Sequence, residues 1–203
     1  MVDEIGMQFL SSHGKTKSGN DVIFSWLARY QNAAAAGADA VNGTIGALHE
    51  DNGELAINTV VDSALREAPP VEFAAYAPLK GLPPFLDLAQ TLALGEYRQS
   101  LETLGVNGMA TASPGGSGAL FLAASNFCER GEAILLRDRH WGPYAGFLKG
   151  CGLEMATYPL LPSNENTHYP MFDSEAFSTE LERLATSQST VMTWLNDPAH
   201  NPT

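Results

Sequence analysis

Basic residues are scarce in this chain: 11 Lys and Arg stand against 23 Asp and Glu, a formal net charge of −12 over 203 residues. Nucleic-acid phosphates and anionic lipid would both be repelled, so neither a nucleic acid nor a membrane is an expected partner. Cysteine is nearly as rare. Cys128 and Cys151 lie apart without C-x-x-C spacing, which argues against a disulfide framework or a zinc site. Both are expected as small buried hydrophobes in a reducing cytosol. The 5 His residues are scattered without ligand-like grouping, so no metal is expected. Nor does any carboxylate pair or Ser/His/Asp spacing stand out. Long apolar runs are missing too, none approaching the ~20 residues that span a bilayer. Met1-Val2-Asp3-Glu4 places acid where a signal peptide has base. The expected location is cytoplasmic.

What is present is the composition of a globular protein, 44% apolar with 19 Gly and 12 Pro. Residues 1–19 are polar and read as a flexible arm. Asp21 is placed to cap a helix through Phe24–Tyr30 into Ala33–Ala36, ended by Gly37. Val41–Leu48 is extended and glycine-punctuated, and Glu50-Asp51-Asn52-Gly53 is a turn. Residues 57–68 have helical spacing, Pro69-Pro70 breaks the chain, and Leu82-Pro83-Pro84 opens a helix carrying Phe85, Leu88 and Leu92. From Met109 onward strand and helix alternate. Strands are expected at Met109–Ala112, Ala133–Leu136, Leu153–Tyr158 and Val191–Leu195, with helices through Phe121–Phe127, Tyr144–Gly150 and Glu175–Ala185. This alternation predicts an α/β fold with a mostly parallel sheet and crossover helices. The domain seam is expected near residues 50–57, giving an N-terminal arm and small-domain segment over 1–50 and an α/β body over 51–203.

Three stretches at expected strand ends carry chemistry. Gly115-Gly116-Ser117-Gly118 lies between a strand and a helix, where unhindered amides, the positive helix end and one hydroxyl converge on an anion such as phosphate. A ligand-free tight turn is the alternative. The run is neither a Walker A loop nor a dinucleotide fingerprint. His140-Trp141-Gly142-Pro143-Tyr144 follows the next strand and can present an indole face to a planar ring, or simply bury it. Pro198-Ala199-His200-Asn201-Pro202-Thr203 follows the last strand, where open α/β sheets place ligands. Its Asn201 can donate to a phenolate oxygen, and the Asn-Pro step permits a cis peptide. Together these describe a site for a planar, phosphorylated cofactor.

The chain resembles the N-terminal half of a class I aminotransferase of the aspartate/aromatic type, a fold-type I pyridoxal-phosphate enzyme. The resemblance runs from about Val41 to Thr203. It rests on Val41–Glu54, Tyr76-Ala77-Pro78-Leu79-Lys80-Gly81-Leu82, Gly115–Leu120, His140–Tyr144 and Asn201-Pro202-Thr203, in that order and spacing. It implies a three-layer sandwich preceded by an N-terminal helical arm, with pyridoxal 5'-phosphate as cofactor. It also implies a homodimer whose sites are completed across the interface. Gly115, Gly116 and Ser117 would hold the phosphate, Trp141 would stack on the ring, and Asn201 would donate to its phenolate. Tyr76 would reach the phosphate of the partner subunit, unless it is a buried aromatic before a turn. Ile45 and Gly46 would lie beside the substrate carboxylate, although Gly46 also reads as a position needing positive φ.

The departures matter equally. Gly115 stands where the family commonly opens the phosphate cup with Ser or Thr, and Leu48 where an aromatic is common. The family's Schiff-base lysine, the carboxylate facing the pyridine nitrogen and the arginine that grips the substrate all follow Asn-Pro-Thr-Gly. This segment is therefore expected to bind and orient the cofactor and to hold no catalytic residue of its own. The implied reaction of the whole enzyme moves an amino group between an amino acid and a 2-oxo acid. A lyase or decarboxylase on the same cofactor, and a non-catalytic half-domain binding phosphorylated ligands, are the alternatives.

Overall fold

A computed structural model describes residues 9–15, 22–161 and 172–202. Asp21, Lys17-Ser18-Gly19 and Thr203 lie outside the described residues. The described chain divides into two compact units, one up to Ala75 and one from Tyr76. The seam expected near residues 50–57 falls inside the first of these.

In the first unit, α1 (Ser12–Lys15) is a helical turn within the stretch expected to be a flexible arm. The Gly14 amide donates to the Ser11 hydroxyl at 3.0 Å, which gives that turn a local cap. Helix α2 (Val22–Ala35) stops at Gly37, whose φ is +83°. The amides of Gly37 and Ala38 close back on the carbonyls of Ala34 and Ala33, both at 3.0 Å, the paired bonds of a Schellman stop. Val41–Leu48, expected to be extended, forms no strand and bends at Thr44 and Ile45, where the Ala47 amide donates to the Ile45 carbonyl at 2.9 Å; the turn beyond it is closed by the Glu50 amide on the Glu54 carbonyl at 2.9 Å. Helix α3 (Thr59–Glu67) is capped by the Asn58 side chain, which accepts from the amides of Val60 and Val61. Pro69-Pro70, expected only as a break, also opens α4 (Pro70–Ala74), because proline's missing N–H costs nothing in a first turn.

The second unit contains α5 (Pro83–Leu94), a 3₁₀ turn (Gly95–Tyr97), α6 (Arg98–Thr103), α7 (Gly115–Phe127), β1 (Ala133–Arg137), α8 (Tyr144–Cys151), β2 (Glu154–Tyr158), α9 (Ser174–Ala185) and β3 (Met192–Thr193). The three strands form a parallel sheet in the order β2-β1-β3. Ala133 pairs with Glu154 and Arg137 with Tyr158 on one side of β1, and Ile134 with Met192 on the other. The expected strand Met109–Ala112 is not one. It has no ladder partner among the described residues, and the Ala112 amide donates instead to the Lys80 carbonyl at 2.8 Å. The last strand is shorter than the apolar run Val191–Leu195, although the Trp194 amide still reaches the Leu135 carbonyl at 3.0 Å.

Alternation along β1 sorts the core into two layers. Ile134 and Leu136 join Trp194, Ala124 of α7, and Tyr144, Leu148 and Cys151 of α8 on one face. Leu135 joins Ala156, Tyr158 and Leu184 of α9 on the other. Helix, sheet and helix are thus stacked as the expected α/β sandwich. The sulfur of Cys128, just past α7, lies 3.8 Å from that of Met192 at the start of β3. Helix α7 therefore runs antiparallel to the strands, with its amino end at their carboxyl ends. Both thiols are free, and burial pushes both up from their ordinary acidity.

Candidate functional site

The three stretches expected to hold a ligand all belong to the second unit. There α7 begins at Gly115 itself, so the glycine run forms the first turn of the helix rather than a loop before it. Among the described residues no side chain caps that turn. The Gly115 amide donates to the Ser113 carbonyl at 2.8 Å, so the amides that follow, from Gly116 on, are the ones open to an anion, and the helix dipole reinforces them. Gly115 has φ of +70°, which lets the chain turn sharply into the helix. At Gly118 a Cβ would lie 2.5 Å from Cδ of Pro114, so only glycine lets the helix start fold against that ring. The Ser113 hydroxyl is committed to the Gly115 carbonyl at 2.9 Å. That leaves Ser117, exposed on the first turn, as the hydroxyl available to a ligand.

The loop after β1 supplies the aromatic surface. Trp141 is half-buried and packs on the same core cluster as Leu120, one turn into α7. Its carbonyl accepts from the Tyr144 amide at 3.1 Å and faces His140 Nδ1 at 3.0 Å, which closes a tight turn into α8. Beyond β3, Trp194 is buried beside Tyr144, with ring centroids 5.1 Å apart, and Asn201 is exposed further along the chain. The Asp197-Pro198 and Asn201-Pro202 peptides are cis. Asn196 was not anticipated from sequence. Its Oδ1 is buried without a partner among the described residues, although nothing in Leu195-Asn196-Asp197 distinguishes it from a loop residue.

The other expected contacts are distributed differently. Tyr76 opens the second unit and is fully exposed, so the reading of it as a buried aromatic does not hold. The turn after it is closed by Gly81 on the Pro78 carbonyl at 2.8 Å, and Lys80 links it to Ala112, just before the glycine run. Ile45 and Gly46 belong to the first unit, at a bend that the Ala47 amide closes on the Ile45 carbonyl at 2.9 Å. Gly46 does not have positive φ, and a Cβ there would meet open space. A cavity of about 460 Å³ lies against α9, lined by Thr157, Asp173, Glu175, Thr179 and Glu180. Its carboxylates have the wrong sign for a phosphate.

The arrangement can hold a dianion at the amino end of α7 and a flat ring against Trp141, with neutral amide groups at the end of β3. A glycine cradle that no side chain fills, an uncapped helix start and a half-buried indole fit a phosphorylated planar cofactor. The fold is that of part of the large domain of a fold-type I aminotransferase. The chain belongs to the aminotransferase class I and II family, whose profile matches residues 38–203. An aminotransferase from Anaerococcus prevotii superposes with a TM-score of 0.83 at 21% identity, over 96% of this chain and 46% of its own. For the aspartate aminotransferase of Saccharomyces cerevisiae cytoplasm the TM-score is 0.72 at 23% identity, over 99% of this chain and 46% of that one. An aromatic amino acid aminotransferase from Psychrobacter, cocrystallised with aspartic acid, gives 0.70 at 25%, over 92% and 45%. The chain thus spans just under half the length of these relatives. Among curated proteins none matches significantly.

Proposed function

We propose that these residues are the cofactor-orienting part of a pyridoxal-phosphate-dependent aminotransferase, which moves an amino group between an amino acid and a 2-oxo acid. The single observation that carries this reading is that Leu120, just beyond the glycine-built and uncapped start of α7, and Trp141 pack on one core cluster. Family membership supplies the chemistry to which such an arrangement belongs.

In this reading the turn Gly115-Gly116-Ser117 holds the phosphate: Gly115 leaves room for it, and the Gly116 amide and the Ser117 hydroxyl donate to it. Several charge-assisted bonds there anchor one end of the cofactor and stop it from sliding. Trp141 fixes the plane of the ring, and Asn201 donates to the phenolate oxygen and stabilises its negative charge. Tyr76, exposed at the edge of its unit, is suited to the phosphate of a partner subunit in a homodimer. Ile45 and Gly46 offer an apolar, unhindered backbone beside a substrate carboxylate. When bound, pyridoxal phosphate supplies an electron sink for the bond broken at the amino acid's α-carbon. Free thiols with raised acidity constants suit a reducing cytosol.

Isothermal titration of the full natural chain with pyridoxal phosphate, beside the Ser117→Ala and Trp141→Leu variants, tests the assignment. Each substitution is expected to weaken binding by ~10-fold, the worth of one charge-assisted hydrogen bond or one aromatic contact. Equal affinity in all three proteins would remove the site from this location.

A further inference from the structure

We infer that Tyr144 is a positioning residue for the cofactor ring, acting through Trp141. The inference rests on the reading of Trp141 as the stacking surface and adds the residue that fixes its angle.

An indole on a strand-end loop turns freely about its side-chain torsions unless neighbours hold it, and a stacking surface is useful only at one inclination. Trp141 is held from one direction. The ring of Tyr144 meets it edge to face, with centroids 5.5 Å apart and planes 86° apart. Phe147, three residues along α8 on the same helix face, adds a tilted contact at 5.9 Å and 39°. Tyr144 is itself immobilised. It is 9% exposed, meets Trp194 of the β3 end at 5.1 Å and 66°, and stacks with His140 at 6.0 Å and 26°. It is also the first residue of α8, and its amide closes the turn on the Trp141 carbonyl. Backbone and ring of one residue thus set both the loop carrying the indole and the indole's inclination, while tying them to the neighbouring strand. A ring buried only to fill the core would pack on aliphatic side chains equally well. Here Tyr144 makes contacts with three other aromatic rings, and one of them is the proposed stacking surface.

The test is a double-mutant cycle in the full natural chain, read by the dissociation constant for pyridoxal phosphate and by the induced circular dichroism of the bound chromophore. Tyr144→Phe keeps the ring and is expected to leave both readouts within ~2-fold of wild type, whereas Tyr144→Leu should weaken binding ~3- to 10-fold, the range for one aromatic pair. Its dichroic band should fall in parallel. In a Trp141→Leu background, Tyr144→Leu should have no further effect, because the residue through which it acts is gone. An equal loss in both backgrounds, or none in wild type, overturns the positioning role. If Tyr144→Leu does not fold, Tyr144→Met replaces it in the same cycle and is judged by the same criterion. Should the unsubstituted protein bind no pyridoxal phosphate, the cofactor assignment itself fails, an outcome distinct from binding without coupling.

Discussion

A methyl group at Gly81 would lie 2.8 Å from Cβ of Ala112 and 3.1 Å from the Leu86 side chain, on a backbone whose φ is +110°. Strain and overlap act together there, so Gly81→Ala is expected to cost about 1–3 kcal/mol, measured as a lowered urea midpoint. An unchanged midpoint would show that the Tyr76–Leu82 turn is not seated on Ala112. Gly118 poses a different question, since the clash there is with the Pro114 ring that shapes the proposed anion-binding turn. Gly118→Ala should lower affinity for pyridoxal phosphate more than it lowers stability, which titration and thermal melting compared side by side would show. At this scale the glycine run was legible because backbone freedom and free amides leave a mark in composition. Tyr144 was visible only as a letter in a motif. Its place among Trp141, His140 and Trp194 depends on residues 50 positions apart meeting across the sheet.

The elements are fastened by polar contacts that no periodicity announces. Gln188 acts as a substitute strand, accepting from the Ala133 amide at 3.0 Å while donating to the carbonyls of Ala133 at 2.9 Å and Thr190 at 2.7 Å. Glu132 beside it takes hydrogen bonds from the Glu129 amide and from the hydroxyl and amide of Ser189, which hold its carboxyl below the usual glutamate range. These ties place the chain leaving α9 at the start of β1 and so set the register of β3. A carboxyl with a depressed folded-state pKa stabilises the fold fully above its unfolded-state value, and that stability is lost as pH falls through the lower, folded value. The denaturant midpoint should therefore decline on acidification, and more shallowly in Glu132→Gln. Parallel profiles for the two proteins would remove Glu132 from the acid response. Arg98 makes a similar tie, bonding Asp87 and Thr91 of α5, each at 2.7 Å, from the start of α6. Helix α6 was missed because six residues give too little spacing to read. Met109–Ala112 was misread because four apolar and small residues before a turn look like a strand whether or not a neighbour pairs with them.

For the molecule as a whole, alternation of strands and helices disclosed the α/β class. The two-unit division at Ala75 was not disclosed, because compactness comes from contacts rather than composition. Apolar surface is unusually open. On α5, Phe85, Leu88 and Leu92 are all more than half exposed, and Phe127 of α7 is 67% exposed. Surfaces of this kind mark interfaces or liabilities. The 203-residue chain on its own is accordingly expected to bind a hydrophobic dye and to self-associate, by fluorescence and light scattering. A monodisperse, dye-silent monomer would contradict that.

The most direct test of the central claim is the absorbance spectrum of the full natural chain mixed with pyridoxal phosphate, before and after borohydride. The account predicts a visible band distinct from the free aldehyde, removed by borohydride with one pyridoxyl group left on each chain. Only free-aldehyde absorbance, and no label on the protein, would contradict it.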